Sequence, residues 1–231
     1  MSNKEDSTTE KGIGAVEESL TKVEIFIEKN HKNILIGLVS VLVVVILYVF
    51  YEKYYKANKE LEAQSEMFMA EKWFNMDSLN LALNGQEGNN MGFLEIVDEY
   101  GSTKQGNTAK LYVGEIYMKK GMYDDAIEYL ADYKPVDKVL GPISQGLLGD
   151  AYMQKGDKEL AIKYYTEAYK YDENEFTCPI YLNKAGLVYE DMGNYDKAIE
   201  VYTILKDKYK ESLYTKNAIK SIAKLEELKQ K

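Results

Sequence analysis

The chain has 231 residues, of which 45% are hydrophobic and 29% are charged, a composition typical of a folded protein with one or two domains. Its 29 basic residues are all lysine, and the formal net charge of −9 argues against a nucleic-acid-binding protein, which needs a basic surface to neutralise phosphates. With a single cysteine, the chain cannot form an intramolecular disulfide.

The segment before the first long apolar run combines two kinds of sequence. Residues 1–12 are polar, charged and small, and we expect a disordered tail. Residues 13–33 are predicted to form an amphipathic lead helix, because apolar residues recur from Val16 to Ile27 at spacings of four and three. Such a helix either binds a partner or a membrane surface, or it leads into the next segment; the few basic residues favour the second interpretation.

Residues 34–51 follow as a predicted transmembrane anchor. The run from Ile34 to Phe50 has no charge and no proline, and it reaches the lower limit of length for a bilayer core. One alternative is a buried core helix, but such a helix is seldom apolar on every face. A cleaved signal peptide is the other, and no A-x-A site follows the apolar run. Lysines near the two ends are equal in number, so the positive-inside rule does not give the orientation.

Residues 52–91 are predicted to be a linker helix followed by a loop. Glutamate, alanine, methionine and leucine dominate as far as Leu83, and glycine and asparagine between Asn84 and Gly92 mark the loop. We expect Trp73, within the linker helix, to dock against the domain that follows.

Five positions recur three times between residues 107 and 205. Each copy has a glycine, a tyrosine three residues later, a turn glycine, and an Ala-Ile pair, and the copies begin at Gly114, Gly149 and Gly186. The interval from Gly114 to Gly149, and from Gly149 to Gly186, together with small residues at these positions, is typical of a repeated helix–turn–helix unit. The pattern resembles the tetratricopeptide repeat. The resemblance implies an all-α fold in which residues 92–231 form a superhelical solenoid, with a degenerate repeat first and a C-terminal capping helix last.

Solenoids of this kind usually hold other polypeptides in a concave groove lined by the first helix of each repeat. Counting from the repeat register predicts a groove whose residues are apolar, amide-bearing or acidic: Leu111, Glu115, Met118, Asp150, Met153, Asn183, Leu187 and Glu190, with Gly146 beside them. The set departs from the subclass that clamps a C-terminal carboxylate with Lys, Asn and Arg. We therefore expect apolar or basic ligand segments, attracted by Glu115 and Asp150. The alternative is a solvated face, or one covered by the N-terminal helix.

Catalysis has little support in the sequence. His31 is the only histidine and lies beside the predicted anchor, so no Ser-His or Cys-His pair can form in the repeat domain. A zinc site would need clusters of cysteine and histidine. We expect no enzyme, no metal or other cofactor, no small-molecule substrate and no nucleic acid; the predicted partners are proteins and one membrane.

The order of these segments resembles the bacterial ancillary subunit of the Sec translocon, the YfgM-like family. Residues 77–85 (DSLNLALNG), 92–107 (GFLEIVDEYGSTKQGN) and 149–157 (GDAYMQKGD) carry the resemblance, together with the layout of one anchor before a small solenoid. It implies an inner-membrane protein with a short cytoplasmic N-terminus and a periplasmic C-terminal domain. Its partners would be Sec translocon subunits, periplasmic chaperones or emerging client chains. The alternative is a structural envelope scaffold that assembles or tethers a membrane complex without handling clients.

Overall fold

A computed structural model describes residues 6–86 and 88–230, with side chains described from Glu24 onward except Ile25 and Glu87. The chain divides into an N-terminal unit, Met1–Ala57, and a C-terminal unit, Asn58–Lys231.

The N-terminal unit is formed by one long helix, α1 (Asp6–Phe50), and a π-helical segment, Tyr51–Lys56. The predicted lead helix and the predicted anchor are therefore parts of a single element. Helix α1 also includes residues 6–12, where the sequence predicted a disordered tail; residues 1–5 lie outside the described residues. Once a helix is nucleated, each added residue gains a hydrogen bond, which explains how a polar segment can extend an apolar helix. The side chains that would form the stripe from Val16 to Val23 lie outside the described part.

Helix α1 is apolar and long enough to cross a membrane, as judged by length and composition. From Leu35 to Phe50 its large apolar side chains remain exposed rather than covered by protein. A helix that is hydrophobic on all faces needs an apolar environment on all faces. The structure therefore agrees with the prediction of one membrane-length helix near the N-terminus.

The C-terminal unit is a stack of ten described helices, most of which pack on the next one in the chain. Its elements are α2 (Ala57–Asn75), α3 (Leu79–Asn84), α4 (Phe93–Tyr100), α5 (Lys104–Lys119), α6 (Tyr123–Asp132), α7 (Leu140–Lys155), α8 (Lys158–Tyr171), α9 (Thr177–Asp191), α10 (Tyr195–Lys208) and α11 (Thr215–Leu228). Pairs α5–α6, α7–α8 and α9–α10 coincide with the three sequence copies. The prediction of an all-α solenoid is confirmed, and α11 follows the last pair.

The domain boundary differs from the sequence prediction. Residues 58–91 belong to the compact unit, whereas the sequence suggested a linker that ended at residue 91. Four residues of α2, including Trp73, are buried in one cluster with Phe93 of α4 and Val113 of α5. The apolar face of α2 is formed by small and sulfur-containing side chains, which give a weak periodic pattern in the sequence. Docking of Trp73 itself agrees with the expectation.

The core consists of four clusters arranged along the stack. Each cluster draws its buried residues from segments that are close in the chain: α2 to α5, α5 to α7, α8 to α9, and α9 to α11. Because contacts are confined to neighbouring helices, the free energy of unfolding is expected to be nearly a sum of contributions from individual repeats and from the interfaces between adjacent repeats.

The recurring glycines lie where paired helices approach most closely. A Cβ atom added to Gly149 would lie 2.5 Å from a ring carbon of Tyr165, and one added to Gly186 would overlap the ring of Tyr202. In the first copy the neighbouring side chain is aliphatic: a Cβ atom added to Gly114 would lie 2.5 Å from the side chain of Leu130. These close approaches confirm the repeat register.

The turn glycines have a different role. Gly121, Gly156 and Gly193 adopt φ angles of 74°, 81° and 72° between the helices of each pair. Side chains other than glycine strain the backbone in this left-handed region. The prediction of a turn glycine at each of these positions is confirmed.

Candidate protein-binding surface

The first helices of the repeats, α5, α7 and α9, line the inner side of the stack. Helix α5 contacts α7 directly, and α7 contacts α9, whereas the second helices α6, α8 and α10 make no comparable contacts with one another in the described residues. Helices on the inside of a curved stack are closer together than those on the outside. The surface of α5, α7 and α9 is therefore the candidate protein-binding surface, here called the inner surface.

Asp150 lies on the inner surface and has two polar partners, Tyr165 and Lys184. The hydroxyl of Tyr165 donates to Asp150 Oδ1 at 2.7 Å, and Lys184 Nζ lies 2.6 Å and 2.7 Å from the two carboxylate oxygens. The same ammonium lies 5.7 Å from the ring centre of Tyr165 and 5.8 Å from that of Tyr181. Since Lys184 belongs to α9 and Asp150 to α7, the network joins consecutive repeats.

The environment of this network favours the neutral form of both tyrosines. Burial, followed by the hydrogen bond to Asp150, raises the pKa of Tyr165 well above its ordinary value. Burial and then the nearby Asp150 charge raise the pKa of Tyr181 in the same direction. Asp150 is thus held by a neutral hydroxyl and a cation, and it is not a free carboxylate available to a basic ligand.

Glu190 forms a second network of the same design. Its Oε1 accepts from the hydroxyl of Tyr202 at 2.8 Å, and Lys224 Nζ lies 3.3 Å from its Oε2. Burial, and then the hydrogen bond to Glu190, raise the pKa of Tyr202. In both networks the lysine follows the acid by 34 residues, so each pair links a first helix to the equivalent helix of the next repeat.

The remaining predicted groove residues present a mixed surface. Glu115 forms an ion pair of 3.6 Å with Lys119, one turn away on the same helix. Met118, Met153 and Asn183 are half-buried, and Leu187 is 53% exposed. The inner surface is therefore largely charge-neutral, with one strongly exposed apolar side chain and two methionines beside it.

Two of the residues assigned to the groove are packing residues. The expectation that Leu111 lines the groove is wrong, because it is only 7% exposed and packs with Leu130 and Leu148. It faces the second helix of its own repeat and the next repeat. Gly146 is covered by Tyr181, whose ring occupies the space that an added Cβ atom would take.

The networks include five residues that were not predicted to line this surface: Tyr165, Tyr181, Lys184, Tyr202 and Lys224. The constant spacing between each acid and its lysine, close to one repeat, was a visible signal. The repeat register aligns equivalent positions, whereas each of these ion pairs joins non-equivalent positions of neighbouring repeats.

The Asp150–Lys184 pair should contribute measurably to stability. In a double-mutant cycle of Asp150→Asn and Lys184→Met, we expect a coupling free energy of about 1 kcal/mol, since both groups are partly buried and flanked by tyrosine rings. The more exposed pair Glu115→Gln and Lys119→Met, with its 3.6 Å separation, serves as the control and should couple by about 0.3 kcal/mol. Chemical denaturation measures both, and equal couplings would contradict the special role of the inter-repeat pair.

Comparison with known proteins agrees with this architecture. Residues 144–175 and 184–212 match tetratricopeptide repeat family models. No curated protein sequence shows a significant match to the chain.

Several solved structures share the fold. A crystal structure of MamA protein is similar at a TM-score of 0.57 and 24% identity, covering 73% of this chain and 82% of its own. The Podosopora anserina putative kinesin light chain, with nearly identical TPR-like repeats, is similar at a TM-score of 0.54 and 13% identity, covering 71% and 85%. At these identities the likeness describes the fold alone. Residues 144–175 and 184–212 thus match tetratricopeptide repeats within a solenoid of paired helices, an architecture typical of protein–protein interaction modules.

Proposed function

We propose that the chain is a single-pass membrane protein whose repeat domain binds apolar segments of other proteins on its inner surface. The observation that carries the proposal is the inner surface itself, where ion pairs are already satisfied and Leu187 remains exposed between them. A ligand that buries Leu187 gains the hydrophobic contribution of that side chain without having to displace a free charge. Met118 and Met153 add flexible, polarizable contacts that tolerate different ligand sequences.

The finer proposal is an ancillary subunit of the Sec translocon, with residues 58–231 in the periplasm. It is supported by the segments 77–85, 92–107 and 149–157, which resemble that family, and by the membrane-length helix α1. The repeat domain would then hold emerging secretory chains, or link the channel to periplasmic chaperones. An apolar, adaptable surface suits clients that differ in sequence and are not yet folded.

Photocrosslinking in cells tests this function. A benzophenone amino acid at position 187 should capture many secreted proteins, together with channel subunits. The matched control carries the same group at Glu167, an exposed position on the outer helix α8, and should capture few. Changing Leu187 to Asp should weaken capture by the purified full-length protein about tenfold, because roughly 1.5 kcal/mol of apolar burial is lost.

Each outcome of the crosslinking has one meaning. A heterogeneous set of secreted chains supports the client-binding role. A single discrete partner at position 187 would instead indicate the structural scaffold. Equal yields at positions 187 and 167 would contradict the inner surface as the binding site.

A further inference from the structure

The loops that connect successive repeats lie side by side along one edge of the C-terminal unit. This inter-repeat edge consists of residues 101–103, 133–139, 172–176 and 209–214. Asn107, at the start of α5, exchanges two hydrogen bonds with the backbone of Lys134, at 2.7 Å and 3.0 Å. Further along, Lys138 pairs with Asp172 at 3.3 Å, and Lys208 pairs with Glu173 at 2.7 Å. These contacts place the last three loops beside one another and join the first of them to the start of α5.

Three of these loops present apolar side chains to the surroundings. Phe176 is 83% exposed, Leu213 is 92% exposed, and Val136 and Val139 are each more than half exposed. Exposed apolar residues scattered singly are ordinary. Here they recur in equivalent loops of successive repeats, so they form a row along the edge.

The chain enters the C-terminal unit at the same edge. Lys59 donates from its ammonium to the carbonyl oxygen of Glu99 at 3.1 Å, next to the first inter-repeat loop. The carboxylate of Glu60 accepts from the backbone amides of Lys104 and Gln105 at 2.7 Å and 3.1 Å. The start of α2 therefore lies beside residues 101–103.

This entry point sets the edge apart from other exposed apolar residues. Met76, at the opposite end of α2, is 64% exposed, so exposure alone does not select one edge. Only residues 51–57 separate the end of α1 at Phe50 from Asn58. Fully extended, that stretch spans at most about 28 Å. The covalent connection alone therefore keeps Asn58, where the chain enters, within about 28 Å of the end of α1.

We propose that the inter-repeat edge rests on the surface of a lipid bilayer, with Phe176 and Leu213 inserted into the interfacial region. The last three loops carry three lysines (Lys134, Lys138, Lys210) against five carboxylates (Asp137, Asp172, Glu173, Glu175, Glu211). Anionic lipids would repel such an edge, so the partner is a neutral lipid surface recognised by apolar insertion. The inference rests on the membrane anchoring of the proposed function, and it depends neither on the protein partner nor on which side of the membrane the unit occupies.

Tryptophan quenching by brominated lipid tests the proposal on the full-length protein in phosphatidylcholine nanodiscs. Phe176→Trp places a reporter at the edge, and Leu213→Trp provides a second one. Met192→Trp is the control in the same repeat, because α9 separates it from Phe176 by about 24 Å. Native Trp73 is buried and supplies a constant background that the wild-type protein measures.

We expect brominated phosphatidylcholine to quench at least half of the emission added at position 176 or 213, and less than a tenth at position 192. Replacing a third of the lipid with phosphatidylglycerol should reduce the quenching at position 176. Equal quenching at positions 176, 213 and 192 would overturn the proposal. A protein partner would also overturn it. In that case the indole at position 176 would be protected from iodide only when a membrane protein is added, and brominated lipid would not quench it.

The two proposals fail in different ways. A chain that does not enter nanodiscs contradicts membrane anchoring itself. A chain that enters nanodiscs and is not quenched at position 176 contradicts only the lipid contact of the edge. Because Phe176 and Leu213 are almost fully exposed, their substitutions should leave the melting temperature unchanged, which verifies folding in each reporter.

Discussion

Replacing Gly149 with leucine should lower the free energy of unfolding by about 3 kcal/mol. Even the first carbon of the new side chain would lie 2.5 Å from the ring of Tyr165, so α7 and α8 must separate. The better helix propensity of leucine offsets only about 0.8 kcal/mol of this cost. For a domain of this size we expect a fall in Tm of about 6–12 °C, measured by calorimetry or circular dichroism.

Two variants show whether the cause is the predicted overlap. Gln154→Leu places the same side chain at an exposed position of α7 and should change Tm by no more than about 1 °C. Combining Gly149→Leu with Tyr165→Ala should be less destabilising than the sum of the two changes, by about 2 kcal/mol, because the leucine fills space that the ring vacates. Additive effects would show that Gly149 and Tyr165 do not meet.

Replacing Trp73 with alanine should destabilise the C-terminal unit by about 3–5 kcal/mol. The indole is buried against α4 and α5, so its removal leaves a cavity at one end of the solenoid. Chemical denaturation of the full-length protein measures the loss.

The comparison residue is Phe68, on the same helix but 66% exposed, and Phe68→Ala should change stability by about 0.5 kcal/mol or less. The ratio between the two substitutions tests the domain boundary. If residues 58–91 were a linker outside the solenoid, the two substitutions would have similar, small effects.

The repeat register could be predicted from the sequence because it depends on local spacing. Gly149 and Gly186 recur where a first helix meets a tyrosine of the second helix, and glycine is the residue that permits that approach. The turn glycines, such as Gly156, are local for the same reason, since their positive φ is a property of one residue. The uncharged run from Ile34 to Phe50 likewise identified a membrane-length helix without any tertiary information.

The N-terminal boundary of the solenoid could not be read in the same way. Helix α2 buries alanines and Met67 beside Trp73, and small side chains of this kind give little periodic contrast with their polar neighbours. What fixes α2 in the solenoid is its fit to Phe93 and its neighbours on α4 and α5, together with the hydrogen bonds of Glu60 to the start of α5. Both depend on helices that come later in the chain, beyond α3 and the loop that follows it.

The charge of the inner surface was also decided only by the tertiary structure. In sequence, Asp150 is one acid on a helix face, and its neutralisation by Lys184 appears only when α7 and α9 pack side by side. Leu111 is a second example. Its position in the repeat predicts a groove residue, but its side chain is buried in the core between two repeats. The sequence by itself determined which residues form the repeats and the membrane-length helix, since those depend on spacing along one chain. Which side chains contact each other and which face solvent depends on the angle at which the helices cross. That angle is set by packing between repeats, so only the tertiary structure decides it.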